Sequence, residues 1–158
     1  MKKIIIFFSI LLLVACKSKN IVTTPEPEVV KIVKLGKAEV SETQKNKAYE
    51  LGKRVLMTCN TSKFKPFTSS EATASVIKNT TQERLSKTCS RFRQYYGTFI
   101  DLQLIEAYKN NFDKTVIFRF KALYSKEVAN KELRVIMNSE NKVSSIKSLD
   151  WINAFPLN

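Results

Sequence analysis

At Gly97 the spacing of the apolar residues changes, and this change constrains the fold more than any other feature of the chain. Before it, apolar residues recur every three or four positions; after it, they alternate. A period near 3.6 turns one face of a helix to a core, and a period of two does the same for a strand. Three capping patterns lie on the helical side, each a Ser or Thr with Gln or Glu three residues on. Ser41 with Gln44 predicts a helix striped by Ala48, Leu51, Val55, Leu56 and Cys59. Thr68 with Glu71 predicts a shorter one carrying Ala72, Val76 and Ile77, and Pro66 separates the two. Thr80 with Glu83 predicts a third, with Leu85, Thr88, Cys89, Phe92 and Tyr96, stopped by Gly97.

Beyond Gly97, strands are expected over Phe99 to Tyr108, Thr115 to Tyr124, Glu132 to Asn138 and Val143 to Ile152. Asn110-Asn111 and Ser139-Glu140-Asn141-Lys142 supply turns. Helices first and strands later, with short connections, predict an α+β domain: two to three N-terminal helices on a curved, antiparallel, four-stranded sheet.

The N-terminus reads differently. Met1-Lys2-Lys3 is basic, and Ile4 to Val14 is an apolar run of eleven residues. Such a run rises only about 16 Å as a helix, against a bilayer core of about 30 Å, so a signal peptide is expected rather than a membrane span. Leu13-Val14-Ala15-Cys16 resembles the lipobox of bacterial lipoproteins. The resemblance implies cleavage before Cys16, acylation of its thiol and a membrane anchor in the cell envelope. Lys17 stands where an Asp would direct retention at the inner membrane, which points to the outer one.

Residues 1–15 are thus expected to be a lipoprotein signal peptide, 16–40 a lipidated Cys with a flexible tether, and 41–158 the domain. Pro25 and Pro27 favour an extended chain in the tether. Val29 to Leu35 alternates apolar and basic residues and reads as a sticky linker, with a short strand or a segment lying on the membrane surface as the alternatives.

The order of elements from Ser41 to Ile152 resembles the NTF2-like (cystatin-like) cone. Two local features add to it: Phe92-Arg93-Gln94-Tyr95-Tyr96-Gly97 ending the helix before the first long strand, and the turn at Asn141-Lys142-Val143. The resemblance implies a curved sheet wrapped around a helix with a pocket at the wide end. Tyr96, Phe118, Phe120, Tyr124 and Trp151 are the pocket candidates, with plain core as the alternative. It also implies a homodimer across the open sheet face as one alternative.

Several chemistries are excluded by composition. The chain has no histidine, so Ser-His-Asp, Cys-His and His-metal arrangements cannot form. Three glycines leave no phosphate-cradling loop. Cys59 and Cys89 either form a disulfide, which an exported protein permits, or stay as buried thiols; without histidine they cannot complete a zinc site. No cofactor or metal is expected. Asp101 and Glu106 have opposite parity and should not share a sheet face, and the acidic residues after Gly97 read as solvated. Arg119 and Lys121 share the face opposite Phe118 and Phe120, as a partner-facing patch or a solvated surface.

The 27 Lys and Arg against 14 Asp and Glu give a net charge of +13. Scattered lysines without a basic-aromatic motif argue against nucleic acid as the partner. The function expected is a lipid-anchored, non-enzymatic envelope module that binds a small apolar ligand, an envelope component or a protein. The alternative is an envelope dehydratase or isomerase using Tyr and Asp within the cone.

Overall fold

The computed structural model describes residues 31–157; the expected signal peptide, Cys16 and most of the expected tether lie outside these residues. Five strands form one open antiparallel sheet in the order β1-β2-β3-β4-β5: Ile32–Lys34, Phe99–Asn110, Thr115–Tyr124, Lys131–Met137 and Val143–Asp150. Three helices, α1 (Glu42–Thr61), α2 (Ala74–Asn79) and α3 (Gln82–Tyr96), precede the four longer strands. The architecture is α+β as expected, with one strand more.

The extra strand is the short-strand alternative for Val29 to Leu35, and it places paired chain inside the expected 16–40 tether. Ile32, Val33 and Lys34 pair with Asn110, Lys109 and Tyr108, so ordered structure begins well before Ser41. Ile32 is buried against Tyr108 and Ile117.

Helix α1 opens on Ser41, whose hydroxyl accepts the Gln44 N–H, and its stripe of Ala48, Leu51, Val55 and Leu56 is buried on the sheet. The closest approach is at Gly52, where an added Cβ would come within 2.7 Å of Leu133 Cδ2. Phe118, Phe120, Leu133, Val135 and Met137 form the facing layer, each at most 1% exposed. Full burial of one such side chain stabilises by roughly 1.5–3 kcal/mol.

The second helix begins later than its capping pattern predicts. Thr68 and Glu71 instead close a turn, with the Thr68 N–H donated to the Glu71 carboxylate at 2.9 Å. The chain then bridges to β5 through Ala72 and Val143 before α2 starts. Helix α3 is capped by Thr81 rather than Thr80 and ends at Gly97, whose φ of +80° suits a residue without a Cβ.

Strand β2 carries two irregularities, between Phe99 and Asp101 and between Leu104 and Glu106. The extra residues, Ile100 and Ile105, are 57% and 44% exposed. Each bulge resets the alternation. In register Asp101 stands opposite Leu123 and Glu106 opposite Arg119, but their carboxylates reach different partners, Asp101 to Tyr49 and Lys53 of α1 and Glu106 to Arg119 of β3, so the two are not brought together.

Candidate functional site

The segment that follows β1 builds one wall of a cleft. The Leu35 N–H donates to the Ala107 carbonyl at 2.9 Å, and a 3-10 turn at Lys37–Glu39 carries the chain to α1. The Gly36 N–H is held by the Glu39 carboxylate at 2.6 Å. The N-terminal half of α1 forms the opposite wall through Glu42, Lys45, Asn46 and Tyr49. Leu35, Val40, Leu104, Ala107 and Phe120 make the interior apolar, and Lys34, Lys37 and Lys45 stand among the polar lining residues. The cleft has a volume of about 760 Å³, within the range of roughly 300–1,000 Å³ usual for small-molecule sites.

Tyr49 supplies the phenol of this lining. Its ring lies 6.4 Å from that of Phe120. Its hydroxyl donates to Asp101 Oδ1 at 2.7 Å and accepts from Lys53 Nζ at 2.9 Å. Lys53 also sits 3.0 Å from the Asp101 carboxylate. The hydrogen bond from Tyr49, with help from Lys53, holds Asp101 below the ordinary carboxylate range despite opposing burial. Tyr49 and Asp101 in turn push the Lys53 ammonium upward. Both ions are stabilised as ions. A general base working near neutrality needs the reverse: a carboxylate raised or an amine lowered.

A second, smaller cavity of about 330 Å³ lies between the C-terminal half of α1, α3 and the sheet. Val55, Leu56, Phe92, Phe99 and Leu133 make it mostly apolar, with Asn60, Thr88 and Ser148 at its edges. Tyr124 also lines it, and burial pushes that phenol up to about 12, so it is a neutral donor. Beside this cavity Cys59 and Cys89 are joined in a disulfide, which ties α1 to α3 across thirty positions.

The aromatic candidates separate. Phe120 lines the larger cleft and Tyr124 the smaller cavity. Tyr96 packs between Phe92 and Tyr124 at the end of α3. Phe118 is fully buried core. Trp151 is on the other face of the sheet, its ring 4.5 Å from the Arg119 guanidinium, so it edges neither cavity.

That outer face corrects a second expectation. Arg119 is not a solvated or partner-facing residue; it is fully buried. Its Nε and Nη2 donate to Glu132 at 3.1 and 2.7 Å, and its Nη1 donates to Glu106 at 2.6 Å. Nη2 also reaches the Ile152 carbonyl at 2.7 Å. The chain after β5 folds back over this cluster, with Phe155 stacked on Tyr108 at 4.3 Å. Burial disfavours the guanidinium, but Glu132 and Glu106 more than offset it and raise its pKa. Glu132, also fully buried, is held below its usual range by Arg119 and Arg134 against the effect of burial. The cluster is saturated, which suits a structural role.

Comparison with family models, curated proteins and solved structures finds no match for this chain.

Of the residues that make the cleft, Phe120 is the one that sequence reasoning names as a pocket candidate. Tyr49 is next to Ala48 on the predicted stripe, which is the one local signal; Lys34, Leu35 and Val40 fall in the expected tether. Among the described residues no helix is long and apolar enough to cross a membrane.

Proposed function

We propose that the chain is a lipid-anchored, non-catalytic module of the cell envelope, with an NTF2-like (cystatin-like) cone that binds a small, largely apolar molecule. The observation that carries the binding role is the cleft itself: an apolar interior of ligand size, closed on one side by β1 and its following turn, with lysines and one oriented phenol among its lining. The helix-then-meander order and the cavities between α1 and the sheet support the NTF2-like reading, which rests on element order and not on any matched relative. The anchor rests on the lipobox-like Leu13-Val14-Ala15-Cys16, and the outer membrane on Lys17. Labelled palmitate should appear on the parent chain and be lost in Cys16→Ala.

The enzymatic alternative has its natural centre at Tyr49 and Asp101, whose oxygens are 2.7 Å apart. The directions of the shifts at Asp101 and Lys53 favour a fixed ion pair that positions Tyr49 over one that moves protons.

Binding is tested with an apolar fluorescent probe, anilinonaphthalene sulfonate, titrated into the full chain and into Leu104→Trp. The larger side chain should fill the cleft and abolish probe binding while the thermal midpoint is retained. Equal binding by both proteins removes the cleft from the proposal.

A further inference from the structure

The tip of the β2–β3 hairpin carries an aromatic side chain that the described residues leave uncovered. Phe112 is 83% exposed, the highest exposure of any large apolar residue among those described. Its surroundings are basic. Lys31 Nζ lies 5.7 Å from the ring centroid, and Lys109 and Lys114, both exposed, flank the turn. The one acid of the turn, Asp113, is occupied in shaping it: its carboxylate accepts from the Thr115 N–H at 3.1 Å and the Thr115 hydroxyl at 2.6 Å.

A second observation concerns the path of the chain. The Asn111 N–H donates to the Lys31 carbonyl at 2.8 Å, so the polypeptide enters the fold at this same tip. From Lys31 it runs antiparallel along β2, away from the tip. The roughly fifteen residues from Cys16 to Lys31 can reach at most about 50 Å. A membrane anchor at Cys16 therefore joins the globule at the end that displays Phe112.

We infer that the β2–β3 hairpin tip is a membrane-docking surface, with Phe112 inserted at the lipid interface and Lys31, Lys109 and Lys114 facing anionic headgroups. An aromatic ring at this depth replaces water contacts with acyl and glycerol contacts, and clustered lysines are attracted by the negative surface potential. Val33, two positions beyond Lys31 on the adjoining strand, is a further apolar side chain left 41% exposed. Docking would hold the sheet end-on to the bilayer rather than leave it swinging on its anchor. The orientation rests on the lipid-anchor reading above; the chemistry of the tip stands on Phe112 and its lysines.

The test places Phe112→Trp in the full chain and reads the introduced indole in vesicles of phosphatidylcholine and phosphatidylglycerol, with and without brominated acyl chains. The parent, which has only Trp151, supplies the background. Palmitate labelling of the same preparation reports on the anchor separately. The inference expects blue-shifted emission from the introduced indole, quenched by brominated lipid. It also expects roughly a five-fold loss of vesicle affinity for each of these lysines neutralised to Gln when the unacylated Cys16→Ala chain is titrated. A labelled, vesicle-bound Phe112→Trp protein whose added emission is not quenched overturns the docking surface and leaves the anchor standing. An unlabelled protein whose added emission is still quenched supports the tip and discards the anchor. An unlabelled protein without quenching overturns both.

Discussion

Arg119 occupies an alternating position of β3 that periodicity assigns to the outside, yet no solvent reaches it. Moving a guanidinium out of water costs several kcal/mol, and only close, well-aligned carboxylates offset that. Glu132 and Glu106 meet the condition, and the Trp151 and Phe155 rings, 4.5 and 5.3 Å from the guanidinium, take the place of water. Removing the cation alone leaves two carboxylates without their shared partner. Arg119→Met should therefore lose about 3–5 kcal/mol in a urea titration. The half-exposed pair of Lys45 and Glu42, by contrast, should contribute under about 1 kcal/mol. A cost for Arg119→Met as small as that of a surface pair would mean that water reaches the cluster. Local sequence does not reveal this burial, because the cover comes from the residues after β5 and not from β3 itself.

Helix α3 is bound to the domain in an unusual way: it has no fully buried residue, and a cavity lies between it and the sheet. Its principal fastenings are the Cys59–Cys89 bridge and the aromatic contacts of Phe92 and Tyr96. A loop of this length is stabilised by a disulfide by roughly 3–4 kcal/mol on the chain-entropy account. Reduction, or the pair Cys59→Ser and Cys89→Ser, should speed amide hydrogen exchange within α3 far more than in α1 or the sheet. Uniform acceleration throughout the molecule would show instead that the bridge supports the whole fold. At this scale the sequence is most legible. The long elements are readable because a full helical stripe or a ten-residue alternation leaves little freedom of interpretation, and the Thr115–Tyr124 strand matches its predicted bounds. Strand β1 is legible only as an alternative to a linker, because three residues carry too little alternation to decide between them. The bulges at Ile100 and Ile105 escape because parity counting assumes an unbroken ladder. The cleft is illegible for a further reason: its walls come from the β1 turn, α1 and β2–β3, which only the tertiary fold brings together.

Across the whole molecule, carboxylates hold distant parts of the chain together. Glu71 takes both Arg54 Nη atoms, at 3.0 and 2.8 Å, and so links α1 to the turn before α2. Asp101 links β2 to α1, while Glu106 and Glu132 join the central strands through Arg119. All four are shifted downward in the folded state, Glu71 to about 2, chiefly through Arg54. In the unfolded chain these groups return to about 3.9–4.3. Between the two limits the unfolded state binds more protons, so acid favours it; the stabilisation is complete above the unfolded values and disappears as pH falls through the folded ones. Protonation also leaves the excess of Lys and Arg less opposed, which adds self-repulsion. The urea midpoint should stay level from pH 7 to about 5 and then fall steeply towards about pH 2. Glu71→Gln should lower stability at pH 7 by on the order of 2 kcal/mol and flatten the part of the decline below about pH 4, because it removes a carboxylate held down to about 2. A midpoint that rises on acidification, or a Glu71→Gln profile parallel to the parent's, would show that these ion pairs do not hold the elements together.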